Sequence, residues 1–473
     1  MSLSSFGGRM VRDEQWPVAR LIPISSASGV EAQERRLASA LLAVMHAVPE
    51  FARALLKPLG APSGRVEAFI EVPFKLGERS IRPDGLLTVA RGNKSWTSLV
   101  ETKTAANPLQ SDQMDTYLDL ARELEFEAVL SISNQYVSSS TGYPIEVDRK
   151  KLRKVVLHHW SWVDVLTAAI VQKEHRGVSD PDQAYILNEL IRYLSDPRSG
   201  AVAFEGMSPS WTAVRDGARG GTLRKTDSAP AEVAARWDDL VRYLALTLTA
   251  DLGREVRQVL PPAERTPTAR RQALVDALVV KGQLYAELSI PDTAGPLLLL
   301  ADLRARQVTA STIIDAPEEG TSKGRVSWLL RQLQKAPNGV VVEARAARWS
   351  DSAAAQLADA RQDASVLYPG SKRDIRAFRL SLAANIGLKR DSGRGSFADS
   401  VTATAQSFYG DVLQNLRLWK ASPPKLKKAP ESSEEAAEVI AERVGVEPAD
   451  IADSLSLDDA DVVSGQGDAV DQD

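Results

Sequence analysis

Apolar residues recur at helical spacing through Leu37, Leu41, Val44, Met45 and Val48, so the N-terminal part of the chain opens with an amphipathic helix. Ser28-Gly29-Val30-Glu31 marks its start as a capping box, in which hydroxyl and carboxylate satisfy free backbone N–H groups reciprocally. Pro49 and the Pro/Gly-rich residues 57–62 close that region. The pattern then turns to strands: residues 66–72, a second run from Ile81 through 86–89, and a third over 96–103, with Arg91-Gly92-Asn93-Lys94 as a hairpin turn. Asn107-Pro108 reads as the start of a second helix, Asn as N-cap and Pro at the first helical position. It runs through Met114, Tyr117, Leu118, Ala121 and Leu124, and short apolar strands follow at 128–132 and 155–158. The order is helix, three strands, helix, strand, strand: a mixed α/β sandwich.

Beyond about residue 170 the pattern changes. Residues 184–194 and 233–252 read as helices, separated by the Gly/Arg-rich stretch 215–221. From 274 to 342 come strand-like runs, clearest at 297–303 and 339–342, with a helix over 326–333 between them. This predicts four segments: an α/β domain over 1–172, a helical connector over 173–265, an α+β domain over 266–420 and a tail over 421–473. The tail is acidic and free of aromatic residues, and reads as largely disordered with one short helix over 434–443.

Composition narrows the field of functions. Cysteine is absent, which removes disulfides, cysteine zinc sites and iron–sulfur clusters. No apolar run approaches the ~20 residues of a membrane helix, and the first residues lack the pattern of a secretory signal, so the expected location is the cytoplasm. The net charge of -4 conceals an asymmetry: residues 431–473 hold 14 acids and one base. Taking these from the chain's 62 acids and 58 bases leaves 48 against 57, a net of +9 for the remainder. A basic body fits a nucleic-acid partner, and the tail fits a basic protein partner or a solubilising role. There is no phosphate-binding G-x-x-x-x-G-K-[ST] loop and no G-x-G-x-x-G, so no nucleotide-driven motor or dinucleotide enzyme is expected. The four histidines are too scattered for a histidine metal motif. In the second half, Lys323, Arg325, Arg331 and Lys335 around Trp328 make a basic helix, read first as amphipathic packing and second as a phosphate contact.

The sharpest chemical signal is Pro83-Asp84, sixteen intervening residues, then Glu101-Thr102-Lys103. Alternate strand residues share a face, so Glu101 and Lys103 project together, about 7 Å apart. Asp84 belongs to the neighbouring strand of the same hairpin. Two carboxylates converging on one sheet edge suit a hard cation such as Mg²⁺, and a lysine beside it can orient water and offset charge building on phosphorus. This arrangement resembles the PD-(D/E)xK nuclease superfamily. Gln113 and Tyr117, four apart on the next helix, match the QxxxY pattern of its RecB-like branch.

The resemblance covers the first third of the chain and implies a restriction-endonuclease-like mixed sheet flanked by helices. It implies an Mg²⁺- or Mn²⁺-dependent nuclease acting on nucleic acid, DNA before RNA, of a kind that works in DNA repair, restriction or defence against foreign DNA. Asp84 and Glu101 would ligate the metal with the main-chain carbonyl of Thr102, and Lys103 would position water and stabilise the transition state. Gln113 and Tyr117 would steady the substrate, and Glu34 of the first helix would complete the site, with Glu71 as another possible ligand. Two other classes fit the same residues: a catalytically silent nuclease-fold module that binds nucleic acid, and a protein-interaction adaptor.

Overall fold

The computed structural model describes residues 16–21, 29–104, 107–137, 143–201, 204–346, 352–368 and 374–420. The capping box at Ser28, the tail over 421–473 and its short helix lie outside these described residues. The first part contains α1 (Gly29–Ala47), α2 (Pro49–Leu56), β1 (Arg65–Ile70), β2 (Phe74–Leu76), β3 (Arg79–Ile81), β4 (Gly85–Arg91), β5 (Lys94–Thr102), α3 (Ser111–Glu123), β6 (Ala128–Ser133), β7 (Val156–Ser161), α4 (Trp162–Ile170) and α5 (Pro181–Ser195). The five-stranded sheet runs β1-β4-β5-β6-β7. Its first two pairings are antiparallel, the second of them the β4–β5 hairpin, and its last two are parallel. A mixed α/β architecture is therefore what the chain builds.

Strand alternation divides this sheet's side chains between two cores. Leu87, Val100, Leu130 and Ile132 face a cluster with Leu37, Leu41, Val44 and Met45 of α1, joined by Trp162 and Val165 of α4 and Leu187 and Leu190 of α5. Leu86, Leu99, Val129 and Leu157 face the opposite cluster with Met114, Leu118 and Ala121 of α3. β6 is buried at every residue, the expected state of a central strand covered on both faces.

Two local expectations are corrected. The second helix starts at Ser111, not at Asn107-Pro108. The Asn107 amide donates to Glu34 Oε2 at 3.1 Å instead of capping a helix, and Gln110 is the N-cap, with no capping bond from its side chain. The strand expected from Ile81 to Val89 is broken at Pro83-Asp84, because Ile81 ends a small β2–β3 hairpin while Gly85 begins β4. Proline has no N–H for a ladder, so the break falls where the sequence forbids pairing.

The remainder contains α6 (Trp211–Gly220), α7 (Ser228–Leu252), β8 (Arg257–Gln258), α8 (Pro267–Lys281), β9 (Gln283–Ser289), β10 (Leu297–Asp302), β11 (Gln307–Asp315), α9 (Ser322–Gln332), β12 (Val341–Ala346), β13 (Ser352–Gln356), α10 (Leu357–Gln362), β14 (Ile375–Asn385) and α11 (Phe397–Asp411). A seven-stranded antiparallel sheet in the order β13-β12-β14-β11-β10-β9-β8 packs its core against α7, α8 and α11. The helices of the 173–265 stretch divide between the two sheets. α5 packs in the first core, whereas Trp237, Leu240, Val241 and Leu244 of α7 belong to the second.

Within that second core Arg270 is buried, donating to Asp238 Oδ1 at 3.1 Å, Glu264 Oε2 at 2.6 Å and the Tyr285 carbonyl at 2.8 Å. Arg325 of the basic helix α9 is likewise buried, on the carbonyls of Ile375 and Glu318, so it serves packing and not an incoming phosphate. Among the described residues no single helix is long and apolar enough to cross a membrane.

Because Leu130 sits in the strand that both layers cover, shortening it leaves a cavity that neither core can close. Leu130→Ala is expected to lose about 2–5 kcal/mol of stability, measured as a lowered urea midpoint with an unchanged slope. A loss below about 1 kcal/mol would mean that β6 is not the shared centre of the first sheet.

Candidate active site

The site forms where β5 leaves the sheet. Leu99 faces the α3 side, so by alternation Glu101 does too, while Val100 and Thr102 face α1. The Lys103 N–H still pairs with the Ile132 carbonyl at 2.8 Å, and the Lys103 carbonyl accepts the Trp162 indole N–H at 2.9 Å. These two bonds fix the strand end that carries the ammonium.

Asp84 comes in from the break before β4. Its Oδ2 accepts the Thr102 N–H at 2.8 Å and the Thr102 hydroxyl at 2.8 Å. In an extended strand the N–H and C=O of one residue point to the same side, so the Thr102 carbonyl also faces Asp84. The Asp84 carbonyl accepts the N–H of Glu71, whose left-handed backbone (φ 51) is rare for a residue with a side chain. The Glu71 side chain turns away to Arg35 at 3.0 Å, so Glu71 contributes to the site through its backbone.

Glu101, only 1% exposed, is held from three directions. Its Oε1 accepts from Lys103 Nζ at 2.6 Å and Gln113 Nε2 at 2.7 Å, and its Oε2 accepts the Tyr117 hydroxyl at 2.9 Å. Gln113 also donates to the Tyr117 oxygen at 3.1 Å. The shared helix face expected of this pair is present, and in the structure it grips the Glu101 carboxylate.

Glu34 arrives from α1 and is buried. Its Oε1 accepts the Thr104 N–H at 3.0 Å, its Oε2 accepts Asn107 Nδ2 at 3.1 Å, and Lys103 Nζ lies 3.9 Å away. Asp84, Glu101, Lys103, Gln113, Tyr117 and Glu34 are thus brought to one place, whereas the Glu71 side chain, held by Arg35, is not. Sequence reading missed Thr104, Asn107 and Trp162 as its supports. Asn107 carried a visible signal that was assigned to capping; Thr104 and Trp162 carried none.

The electrostatics follow from burial. The Glu101 carboxyl is raised to about 7 on balance: burial and then Asp84 push it up, while Lys103 and Tyr117 pull it back. Burial also raises Asp84 against the opposing pull of the Thr102 donors and Lys103. For Lys103, burial favours loss of the proton, but Glu101, Asp84 and Glu34 outweigh it and the net shift is upward. With these carboxylates around it, Lys103 is an ammonium at neutral pH. Burial and the neighbouring carboxylates likewise raise Tyr117, keeping it a phenol that donates.

Three carboxylates beside one ammonium make a hard, oxygen-rich donor set with a deficit of positive charge, the chemistry that suits Mg²⁺ or Mn²⁺. Both described bonds to Asp84 fall on Oδ2, which leaves Oδ1 with lone pairs to give. Against a preformed cage, among the described residues no three His, Asp or Glu side chains gather closely enough to hold an ion. The donor set fits a divalent cation with two carboxylates and a carbonyl, provided that Lys103 yields its place on Glu101 Oε1. His159, by contrast, is buried between the Ser131 hydroxyl and the Gln135 carbonyl, and burial keeps it neutral.

No family model, curated protein or solved structure matches this chain.

Glu101 has a folded-state value above its ordinary 4.5, so between about 4.5 and 7 the folded state binds more protons than the unfolded one. Its contribution therefore falls as pH rises through that window. Glu101→Gln should remove this loss and be the relatively more stable form at pH 8 than at pH 5, by up to about 3 kcal/mol. Thermal melts of both proteins at the two pH values measure it; parallel pH curves would exclude Glu101 as the source.

Proposed function

We propose that the chain is a metal-dependent nuclease that hydrolyses phosphodiester bonds of nucleic acid, DNA before RNA, with the fold and site of the PD-(D/E)xK superfamily. The observation that carries this reading is the meeting of Asp84, Glu101, Glu34 and Lys103 at the open end of β5, with three carboxylates held against one ammonium. Asp84, Glu101 and the main-chain carbonyl of Thr102 would hold Mg²⁺ or Mn²⁺, with Glu34 behind them. When bound, the ion supplies Lewis-acid polarisation of a phosphoryl oxygen and a water of lowered pKa.

The chain's own residues do the rest. Lys103, kept protonated by its neighbours, orients water and offsets negative charge as it builds on phosphorus. Gln113 and Tyr117 act as positioning residues: each donates to Glu101 and keeps both its oxygens aimed at the cluster. Thr102 does the same for Asp84.

One observation favours a second reading, a silent module that binds nucleic acid without cutting it. Each carboxylate already has protein donors, and Lys103 closes directly on Glu101. Purified protein incubated with linear, circular and single-stranded DNA under Mg²⁺, Mn²⁺ or EDTA separates the two. The nuclease reading expects metal-dependent cutting that falls about 100-fold or more in Lys103→Ala. It also expects Mn²⁺ to raise the melting temperature of the wild type and not of Asp84→Asn. Salt-sensitive DNA binding with no cutting and no metal shift would select the silent module.

A further inference from the structure

α1 presents two different faces at the same level. Glu34 points inward to the site, whereas Gln33 and Arg36, three apart, share a face turned away from it, Arg36 standing nearly opposite Glu34 around the helix. Gln33 Nε2 donates to the Arg198 carbonyl at 2.8 Å. Next to Arg198, Gly200 has φ +88, and a Cβ there would lie 2.5 Å from the Gln33 side chain, so this turn is pressed against α1. The Gly200 carbonyl in turn accepts Asn134 Nδ2 at 3.1 Å, directly after β6. The turn at 196–200 therefore bridges α1 to the end of the first sheet where β5 gives way to Lys103.

On this bridge lies a surface pocket of about 480 Å³ lined by Arg36, Glu189, Arg192, Tyr193, Asp196, Arg198 and Ser199. Three guanidinium groups face two carboxylates. Arg192 pairs with Glu189 at 3.1 Å and Arg198 with Asp196 at 2.6 Å, but the arginine side chains remain 72% and 89% exposed. Pairs so open to water hold weakly and exchange readily for a phosphate, which a guanidinium meets with two bonds. The Arg36 guanidinium lies close enough to Tyr193 to act on its hydroxyl electrostatically. Seven residues before Arg192 on α5, and so on its face, Tyr185 is 66% exposed. It stands about 10 Å along the helix from Arg192, beyond the pocket. Charged groups that track a backbone together with an open aromatic ring are the elements of a single-strand track.

We infer that this pocket binds the phosphate backbone of single-stranded nucleic acid, with Tyr185 stacking a base, and delivers the strand across α1 to the site of Asp84, Glu101 and Lys103. The inference rests on the nuclease reading of that site. Phosphates meet Arg36, Arg192 and Arg198, and the strand passes the bridge formed by Gln33, Gly200 and Asn134.

The test is fluorescence anisotropy of a labelled single-stranded DNA oligonucleotide in EDTA, where nothing is cut, across a salt series. The Arg36→Ala, Arg192→Ala, Arg198→Ala triple variant should bind about tenfold more weakly, with a salt slope smaller by about 2. Tyr185→Ala should also lose about tenfold, but with the slope unchanged, and Tyr185→Phe should restore it. A Lys323→Ala, Arg331→Ala variant on the remote helix α9 is the control and should lose little; melting temperatures verify that each variant folds. Unchanged binding in the pocket variants, an equal loss in the control, or equal losses on duplex DNA would overturn the proposal. Cutting is scored separately with Lys103→Ala. Intact cutting with pocket variants that bind normally overturns the pocket alone. Pocket-dependent strand binding without any cutting supports the pocket and overturns the nuclease reading.

Discussion

Asp84, Glu101 and Glu34 set three carboxylates around a single ammonium at one sheet edge, and the surrounding structure is arranged to keep that excess of negative charge in place. An ionised group removed from water is costly unless paired and hydrogen-bonded, and one lysine cannot neutralise three acids. Each carboxylate is therefore attended by donors: Thr102 on Asp84, Gln113 and Tyr117 on Glu101, Thr104 and Asn107 on Glu34. These donors come from β5, α3 and the turn between them, so the first sheet and both its helical layers must be in place before the cluster can exist. The raised values of Asp84 and Glu101 show that the compensation is incomplete, and perturbation of this kind by burial and like charge is common where chemistry is done.

Strand alternation makes the arrangement possible. β5 is the junction of the antiparallel and parallel halves of its sheet, bonded to β4 on one side and β6 on the other. Leu99 and Val100 anchor opposite cores, and the same alternation carried two residues further sends Glu101 toward α3 and Thr102 toward α1. A one-residue slip of β5 would exchange these faces, burying Glu101 against the apolar side of α1 and pulling Thr102 away from Asp84. The two hydrophobic cores are thus also what fixes the register of the polar site.

This division explains how much could be read beforehand. The hairpin, the shared face of Glu101 and Lys103, and the shared face of Gln113 and Tyr117 follow from short-range periodicity, and all three are present. The partner of the Gln113/Tyr117 face was not legible, because helix spacing tells which residues stand together and not what they meet. Asn107 was misread for a related reason: Asn before Pro is a sound local cap signal, but the buried Glu34 carboxylate, 73 residues away, outbid the helix for its amide. The three-residue break over 82–84 carried its own signal in Pro83, which the strand-forming residues on either side outweighed. In the second half, the apolar stripe of α7 predicted a helix correctly and gave no means of knowing that Trp237 and Leu240 would pack against β-strands lying after it in sequence.

The opposite charges on opposed faces of α1 bear on any polyanion that approaches. A cluster with more acids than bases repels phosphate, so a nucleic-acid strand reaches it only if a cation fills the cluster or positive groups nearby hold the strand against that repulsion. Glu34 on the inner face supplies part of the first requirement and Arg36, two residues on, part of the second. Their separation matters: an arginine inside the cluster would compete with a divalent ion, as Lys103 already does on Glu101, whereas one around the helix adds to the field without entering the donor set. On the proposed reading the helix keeps apart two charged sites that would otherwise cancel, and the contacts of Gln33 with Arg198 and Gly200 tie the turn at 196–200 to it.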